Sequence, residues 1–369
     1  MTKVRHILGI SGGKDSAALS IYLKQEYPSL KIEYYNSDTG CELAETEELI
    51  NRLEAYLGQI VRLRAVEAED SPEPTPFHHF LKAAGGFLPS PQARWCTKRM
   101  KLDRFEQYVG NDYAISYVGI RGDEDRDGYI STKPNIQAIF PFRRNIWSID
   151  VINKVLNNDN LEQLTAIYER LSATRRDKDM IMEAVVRPVT RQYYYSKKMN
   201  SLLDIDIRLF NHAVFEYLKT TDYPVGKLDD FPLIDNTDVL VKDDIFRLLR
   251  ESGVGVPAYY EEIPFEVDGK RGTYCRSRSG CYFCFFQQKI EWIWLYEQHP
   301  DLYMKAMEFE KDGYTWNQNE SLADLIKPER IRQIKLDIIR RQEENKNENK
   351  GTTLVDLFGG EIECANCFI

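Results

Sequence analysis

No apolar run in the 369 residues approaches the ~18 needed to cross a bilayer, so no membrane-spanning helix is expected. The opening MTKVRHILGI reaches glycine too soon to read as a secretory leader, and a cytoplasmic protein is the expectation. Positive charge is in short supply. With 49 Lys and Arg against 58 Asp and Glu, the formal net charge is -9, which excludes a surface positive all round and leaves a local basic groove open. No internal repeat is visible. The Walker A spacing, G-x-x-x-x-G-K-[ST], is absent. The cysteines do not come as an even set of staples: there are seven, at 41, 96, 275, 281, 284, 364 and 367. An odd count with two Cys-x-x-Cys pairs in a cytoplasmic chain points to metal, cluster or redox chemistry rather than disulfides.

What is present begins with alternating strands and helices. The pattern predicts strands at Val4–Ile10, Lys31–Asn36, Ile60–Leu63 and Tyr113–Ile120, and helices at Asp15–Gln25, Leu43–Leu57 and Arg99–Val109. That order implies an α/β fold, a doubly wound parallel sheet with helices on both faces, over residues 1–142. Ligands of such sheets sit beyond the carboxyl ends of the strands. The turns at 11–16, 37–40 and 120–126 all follow strands and should meet there. Residues 143–230 read as a helical insertion, with helices at Ile149–Leu156, Leu161–Leu171 and Leu209–Leu218. Between 170 and 198 it carries eight Lys/Arg against three Asp/Glu and ends in RQYYYSKK, a composition that could grip a nucleic-acid backbone and stack bases, or simply form a solvated helical face. Residues 231–344 form a helical, cysteine-containing C-terminal part, whose helix after Asn236 has Thr237 as N-cap and Gly253 as terminator. Residues 345–369 read as a polar, mobile linker and a Cys-x-x-Cys tail.

The stretch ILGISGGKDSAALS carries the first chemical signal. A strand that leaves through two glycines into a helix points backbone N–H groups and a positive helix end at an anion. Gly12 and Gly13 allow close approach, Lys14 adds charge, and Ser11 and Ser16 offer hydroxyls. Ser-Gly-Gly-Lys-Asp-Ser resembles the PP-loop of the ATP-pyrophosphatase superfamily, whose members cleave ATP between its α and β phosphates, and further motifs resemble the phosphoadenosine phosphosulfate (PAPS) reductase-like branch. NSDTG at 36–40 is similar to its second-strand turn, ARWCTKRMK at 93–101 to its cysteine–lysine segment, GIRGDEDR at 119–126 to its phosphate-facing loop, and RSRSGCYFCFFQQKIEW at 276–292 to its Gly-Cys-x-x-Cys segment. The resemblance covers roughly 5–142 and 230–330 and implies an adenine nucleotide alpha hydrolase-like sheet that binds ATP and Mg2+. It gives Ser11, Gly12, Gly13, Lys14, Asp15, Ser16, Asp38, Thr39 and Gly122 to the nucleotide. Lys14, Asp15, Asp38, Arg121 and Arg126 become the residues expected to carry chemistry, Asp15 and Asp38 through Mg2+ or ribose and the two arginines as anion clamps.

By spacing, Cys275, Cys281 and Cys284 with a distant Cys96 are compatible with a [4Fe-4S] cluster or tetrahedral zinc. The resemblance favours the cluster, although the reductases have adjacent cysteines where this chain has Cys96-Thr97, and Cys275 is taken as the missing ligand. The rival set is Zn2+ at Cys281, Cys284, Cys364 and Cys367. Cys41 reads as a small apolar filler, His78 and His79 as loop residues of no assigned role, and Trp292, Trp294 and Tyr296 as core around the cysteine pair. The combination looks most like the DndC-like sulfur-transfer proteins of DNA modification and antiphage defence. It implies an enzyme that releases pyrophosphate and adenylates an acceptor on DNA or tRNA, with a sulfur donor such as a cysteine desulfurase and a surrounding protein complex as expected partners. Two other readings stand beside it: a PAPS or adenylylsulfate reductase using a tail cysteine, and a nucleotide-binding subunit of a larger complex with no chemistry of its own.

Overall fold

The computed structural model describes residues 3–65, 71–126, 128–311, 313–318 and 320–347. Five parallel strands form the central sheet: β1 (Val4–Gly9), β2 (Ile32–Ser37), β3 (Ile60–Leu63), β4 (Tyr113–Tyr117) and β5 (Ile136–Ile139), in the order β3-β2-β1-β4-β5. The chain winds outward from β1 through β2 to β3, then returns to the other side of β1 for β4 and β5. The winding reverses between β1 and β4, so their diverging loops leave a crevice at the carboxyl edge.

Side-chain alternation sorts the two faces. Leu8, Tyr34, Ile115 and Tyr117 join a core with α1 (Lys14–Glu26) and α2 (Ala44–Leu57), while Ile7, Tyr35 and Ala114 face α4 (Asp103–Val109) through Phe105 and Val109. Before α4 the chain runs through α3 (Pro76–Ala83), a short helix at Trp95–Thr97 and a π-helical turn at Lys98–Leu102. The residues read as a helical insertion extend the first core. Helices α5 (Ile149–Val155), α6 (Leu161–Leu171), α7 (Lys178–Val186), α8 (Tyr195–Ile205) and α9 (Ile207–Leu218) bury Val151, Leu164, Ile181, Leu202 and Phe210 in one cluster with Leu8 and Ile139. The same cluster takes in Ile245 and Leu249 of α10 (Lys242–Glu251), which packs on α1.

A second core holds the C-terminal part. A β-hairpin, β6 (Ile263–Val267) and β7 (Lys270–Tyr274), packs with α11 (Lys289–Gln298), α12 (Pro300–Glu308), α13 (Leu322–Leu325) and α14 (Pro328–Asn347). Trp292 and Trp294 are buried in it, as expected of residues packed around the cysteine pair. Phe77 and Phe80 of α3 and Leu43 at the start of α2 also belong to this core, which ties it to the sheet's edge.

Several boundaries differ from expectation. His78 and His79 lie in α3 rather than a loop: Thr75 caps it, accepting the His78 N–H, and Pro76 takes the first position, where a missing N–H costs nothing. The helix after Asn236 starts at Lys242, not near Thr237, because Asp244 accepts the Val241 N–H at 2.9 Å and sets the first turn there; Gly253, at φ 77°, does end it. The polar stretch from Asn345 begins inside α14, which runs to Asn347. The rest of the linker and the Cys364–Cys367 tail lie outside the described residues. Among the described residues, no helix is long and apolar enough to cross a membrane.

Candidate functional site

The turn after β1 opens into α1 at Gly13, the N-cap, which has no side chain to satisfy the first-turn N–H groups. Gly12 adopts φ 74°, in the left-handed region. A Cβ there would stand 2.3 Å from Thr46 Cγ2, and one on Gly13 would stand 2.6 Å from Ser279 Oγ. Both glycines are therefore required by close packing against α2 and the 276–280 segment. The serines brace the turn from within: Ser16 Oγ accepts the Ser11 N–H at 3.2 Å and lies 3.0 Å from Ser11 Oγ.

Two buried cations converge on one carboxylate at the crevice. Lys14 Nζ lies 3.1 Å from Asp15 Oδ2, and Arg121 Nη1 lies 3.0 Å from Asp15 Oδ1. Arg121 also reaches Glu124 at 2.6 Å and Asp123 at 2.9 Å. The Lys14, Asp15 and Arg121 side chains are all under one-tenth exposed. Burial pushes the Asp15 carboxyl up, but Lys14 and Arg121 together more than offset it and hold the group below its usual range. Asp15 is thus the internal counter-ion of the site's cations. Both of its oxygens are engaged by cations, Lys14 at one and Arg121 at the other. Arg126 lies beside Glu124 at 2.8 Å, and its carbonyl accepts from Arg143.

Tyrosines close the turn from the C-terminal side. Tyr259 donates its hydroxyl to the Gly12 carbonyl at 2.8 Å, and Tyr260 Oη accepts the Lys14 N–H at 3.4 Å while its ring lies under Lys14 Nζ. Sequence reasoning missed both. The pair stands in a single 3-10 turn, Ala258–Tyr260, too short to show a period, and only the folded contact reveals it. Arg276 was missed too: its side chain is fully buried between the Tyr259 and Trp294 rings and donates to the Cys281 carbonyl at 3.3 Å.

The third turn, 37–40, meets the segment that carries Ser279 and Cys281. Asn36 anchors it to β1 by donating to the Ile10 carbonyl at 2.7 Å. Asp38 accepts the Gly40 N–H at 2.8 Å and stays partly exposed. Thr39, fully buried, donates to Glu42 at 2.5 Å and lies 3.2 Å from Cys281 Sγ. Thr39 therefore lines the pocket that Cys281 also lines.

Cys96, Cys281 and Cys284 line one small pocket, with Lys101, Met100, Phe77 and Phe283 around them. The π-helical turn presents Met100 and Lys101 to it. Burial, with Glu42 adding to it, pushes the Cys281 thiol far up, so it is protonated at neutral pH. Cys275 does not join them. It is buried at the end of β7, and burial, reinforced by Glu262 and Glu291, pushes its thiol up to about 12. Cys41 is buried next to Thr75, in agreement with its reading as a filler, and burial likewise takes it to about 12. Among the described residues no three His, Cys, Asp or Glu side chains gather as a metal-holding group. The four-thiolate set read from the sequence does not fit this arrangement, because Cys275 is elsewhere. The zinc alternative depends on Cys364 and Cys367, outside the described residues.

The basic segment is partly spent on internal structure. Arg175 pairs with Asp177 and Asp206 at 2.8 and 2.7 Å. Lys198 is completely buried and donates to the Val185 and Arg187 carbonyls, capping the end of α7. Burial lowers the Lys198 ammonium from 10.5 to about 8. The unfolded chain therefore binds more protons than the folded one between those values, and stability should rise as pH climbs from about 8 to 10.5. Urea midpoints measured across that range should rise in the wild type relative to Lys198→Met; parallel curves would show that the ammonium is solvated.

Comparisons with protein-family models, with curated proteins and with solved structures give no match. The site must be read from its own geometry.

Proposed function

We propose that this chain is an ATP-dependent enzyme of the PP-loop type, with an adenine nucleotide alpha hydrolase-like sheet, that releases pyrophosphate while adenylating an acceptor for sulfur transfer on a nucleic acid. One observation carries the reading. At the crevice where the winding reverses, the uncapped start of α1 is joined by two buried cations, Lys14 from its own first turn and Arg121 from the loop after β4, held together by Asp15. The uncapped amides and the two cations together would form an anion site once a phosphate displaces part of their pairing with the surrounding carboxylates.

In the reaction an acceptor oxygen attacks the α-phosphorus of ATP, the bond from that phosphorus to the bridging oxygen breaks, and pyrophosphate departs with the electron pair. The first-turn amides and Lys14 bind the β and γ phosphates; Arg121 transfers part of its pairing from Asp15 to the α-phosphate. Mg2+ would find Asp38 at the neighbouring strand end, the partly exposed carboxylate of the pair. Ser279 against Gly13 and Cys281 two residues later place the phosphate turn and the thiol pocket on one short segment. This proximity supports sulfur as the chemistry that follows activation, with the sulfur delivered by a donor protein such as a cysteine desulfurase.

A second reading draws on the same contacts. The loop's cations and the Lys14 N–H are all satisfied within the protein, as they would be in a nucleotide-sensing subunit that binds ATP without turning it over. Pyrophosphate release from ATP, measured with wild type and Lys14→Met, separates the two. The enzyme reading expects release that falls about 10²–10³-fold in the variant. Tight ATP binding with no release in the presence of DNA or tRNA would establish the sensor instead.

A further inference from the structure

A cavity of about 430 Å3 opens where the helical layer meets the β5 edge of the sheet, one residue beyond Arg121. It is large enough for one nucleotide unit, within the ~300–1,000 Å3 usual for small-ligand sites. Phe140 and Trp147 are among its lining residues, both almost wholly covered by the protein, so they give it an apolar margin. The Trp147 indole is fixed from behind, donating to Asn211 Oδ1 at 2.9 Å, so its ring cannot swing away. Hydrogen-bonding groups line the sides, with Asp125 on the loop after β4 and Ser196 and Asn200 on α8. Arg144 stands at the wall, paired with Asp204 at 2.6 Å but 41% exposed, and so able to exchange that partner for a phosphate.

We propose that this cavity seats a single unstacked base of a nucleic-acid strand, the acceptor unit of the reaction. The inference rests on the reading of the phosphate turn as the activating site. Three features select a strand base over a free metabolite. An apolar lining at Phe140, Trp147 and Leu203 with polar groups at Asp125, Ser196 and Asn200 matches a nucleobase, which offers apolar faces and hydrogen-bonding edges. The arginine at the wall matches the phosphate that must accompany it. The α8 wall also continues directly from the RQYYYSKK run, where Tyr194 is 57% exposed and Arg191 and Lys197 are exposed, so the neighbouring nucleotides meet positive charge and an aromatic face. At the other end Gly122, which lines the cavity, is held by its N–H donating to the Leu240 carbonyl at 2.9 Å, directly after Arg121. The cavity thus shares the loop after β4 with Arg121, one residue away along the chain.

The test is equilibrium binding, by fluorescence anisotropy, of a labelled 15-nucleotide single strand of mixed sequence, as DNA and as RNA. Each is compared with the same strand carrying abasic sites at its three central positions. The full strand should bind about tenfold or more tighter than the abasic strand, the size of a base-stacking contribution. Asn200→Trp, at an exposed position on the cavity wall, should abolish that ratio and leave abasic binding unchanged; Ser196→Phe blocks from a second point and should do the same. Tyr194→Ser should weaken both strands and keep the ratio. Equal binding of full and abasic strands, or a ratio that survives both blocking variants, or one lost only in Tyr194→Ser, overturns the proposal. Pyrophosphate release assayed on the same preparation keeps the two readings apart. Base-dependent binding without release would remove the ATP chemistry and leave the pocket, whereas release with base-independent binding would do the reverse.

Discussion

Replacing Arg121 by alanine is expected to lower the unfolding free energy by about 3–5 kcal/mol, the usual result of stripping one partner from a buried ion network. Arg121 pairs with both Asp15 and Glu124, and both carboxylates are almost wholly buried. Without the guanidinium, Lys14 alone must balance Asp15, and Glu124 keeps Arg126 at 2.8 Å. Arg121→Lys should recover less than half of the loss, because one ammonium cannot span three carboxylates as a planar fork does. Adding Asp15→Asn to Arg121→Ala should restore part of it by removing the charge left behind. The pH dependence has a definite sign. In the wild type the Asp15 carboxyl is depressed, so its contribution is fully present above the ordinary carboxylate range and is lost only as pH falls through the still lower folded value. In Arg121→Ala, burial acts with one fewer cation against it and the folded value moves up, so the deficit relative to wild type should narrow as pH is taken from 8 to 5. Urea unfolding at the two pH values reads both effects. A loss under 1 kcal/mol, or a deficit that widens at pH 5, would mean that these groups are solvated and that the crevice is not such an anion site.

The parts of this architecture legible in the sequence are those where one local rule sufficed. β3 was predicted with its exact bounds, and α1 and α2 within a residue or two, because apolar periodicity and the Gly58 terminator act locally. The parallel sheet followed from alternation. β5 was not predicted: its four residues, Ile-Gln-Ala-Ile, are too few to show a period, and it is a strand only because β4 lies beside it. The β6–β7 hairpin did carry a signal, Asp268-Gly269 between two alternating segments, with both residues at positive φ as a tight primed turn requires. At the site, the convergence of Lys14 and Arg121 was legible as two motifs following two strands. The inward turn of Asp15 was not, since a carboxylate beside a phosphate loop suits a metal equally well until its neighbours are known. The thiols show the same limit. Spacing brought Cys281 and Cys284 together, yet whether Cys275 joins them depends on which way β7 leaves the hairpin, a long-range matter that no interval of residues encodes.

The thiol pocket depends on an aromatic cluster, and truncating its centre should have the second large effect. Phe283, between the two cysteines of the pair, is 2% exposed. Its ring lies 4.3 Å from Phe77, 5.1 Å from Trp316 and 5.2 Å from Phe309, centroid to centroid. These partners come from α3, the segment after α12 and the end of α12 itself, so one side chain joins three separate stretches. Phe283→Ala removes that joint and should cost about 3–5 kcal/mol, while Phe283→Leu, which keeps much of the volume, should cost less than half as much. The thiols report the change independently of stability. In the wild type, burial and then Glu42 hold Cys281 protonated, so its labelling by an aromatic disulfide reagent should stay slow from pH 7 to 9. In Phe283→Ala the turn loosens, water enters, and the Cys281 rate should rise at least tenfold and climb with pH around the ordinary thiol range of ~8.5. Peptide mass spectrometry assigns the label among the cysteines. Fast, pH-dependent labelling of Cys281 already in the wild type would mean an open pocket with a reactive thiolate. A destabilised variant whose Cys281 labels no faster would show that the backbone bridge between Glu42 and Cys281, rather than the aromatic cluster, guards the thiol.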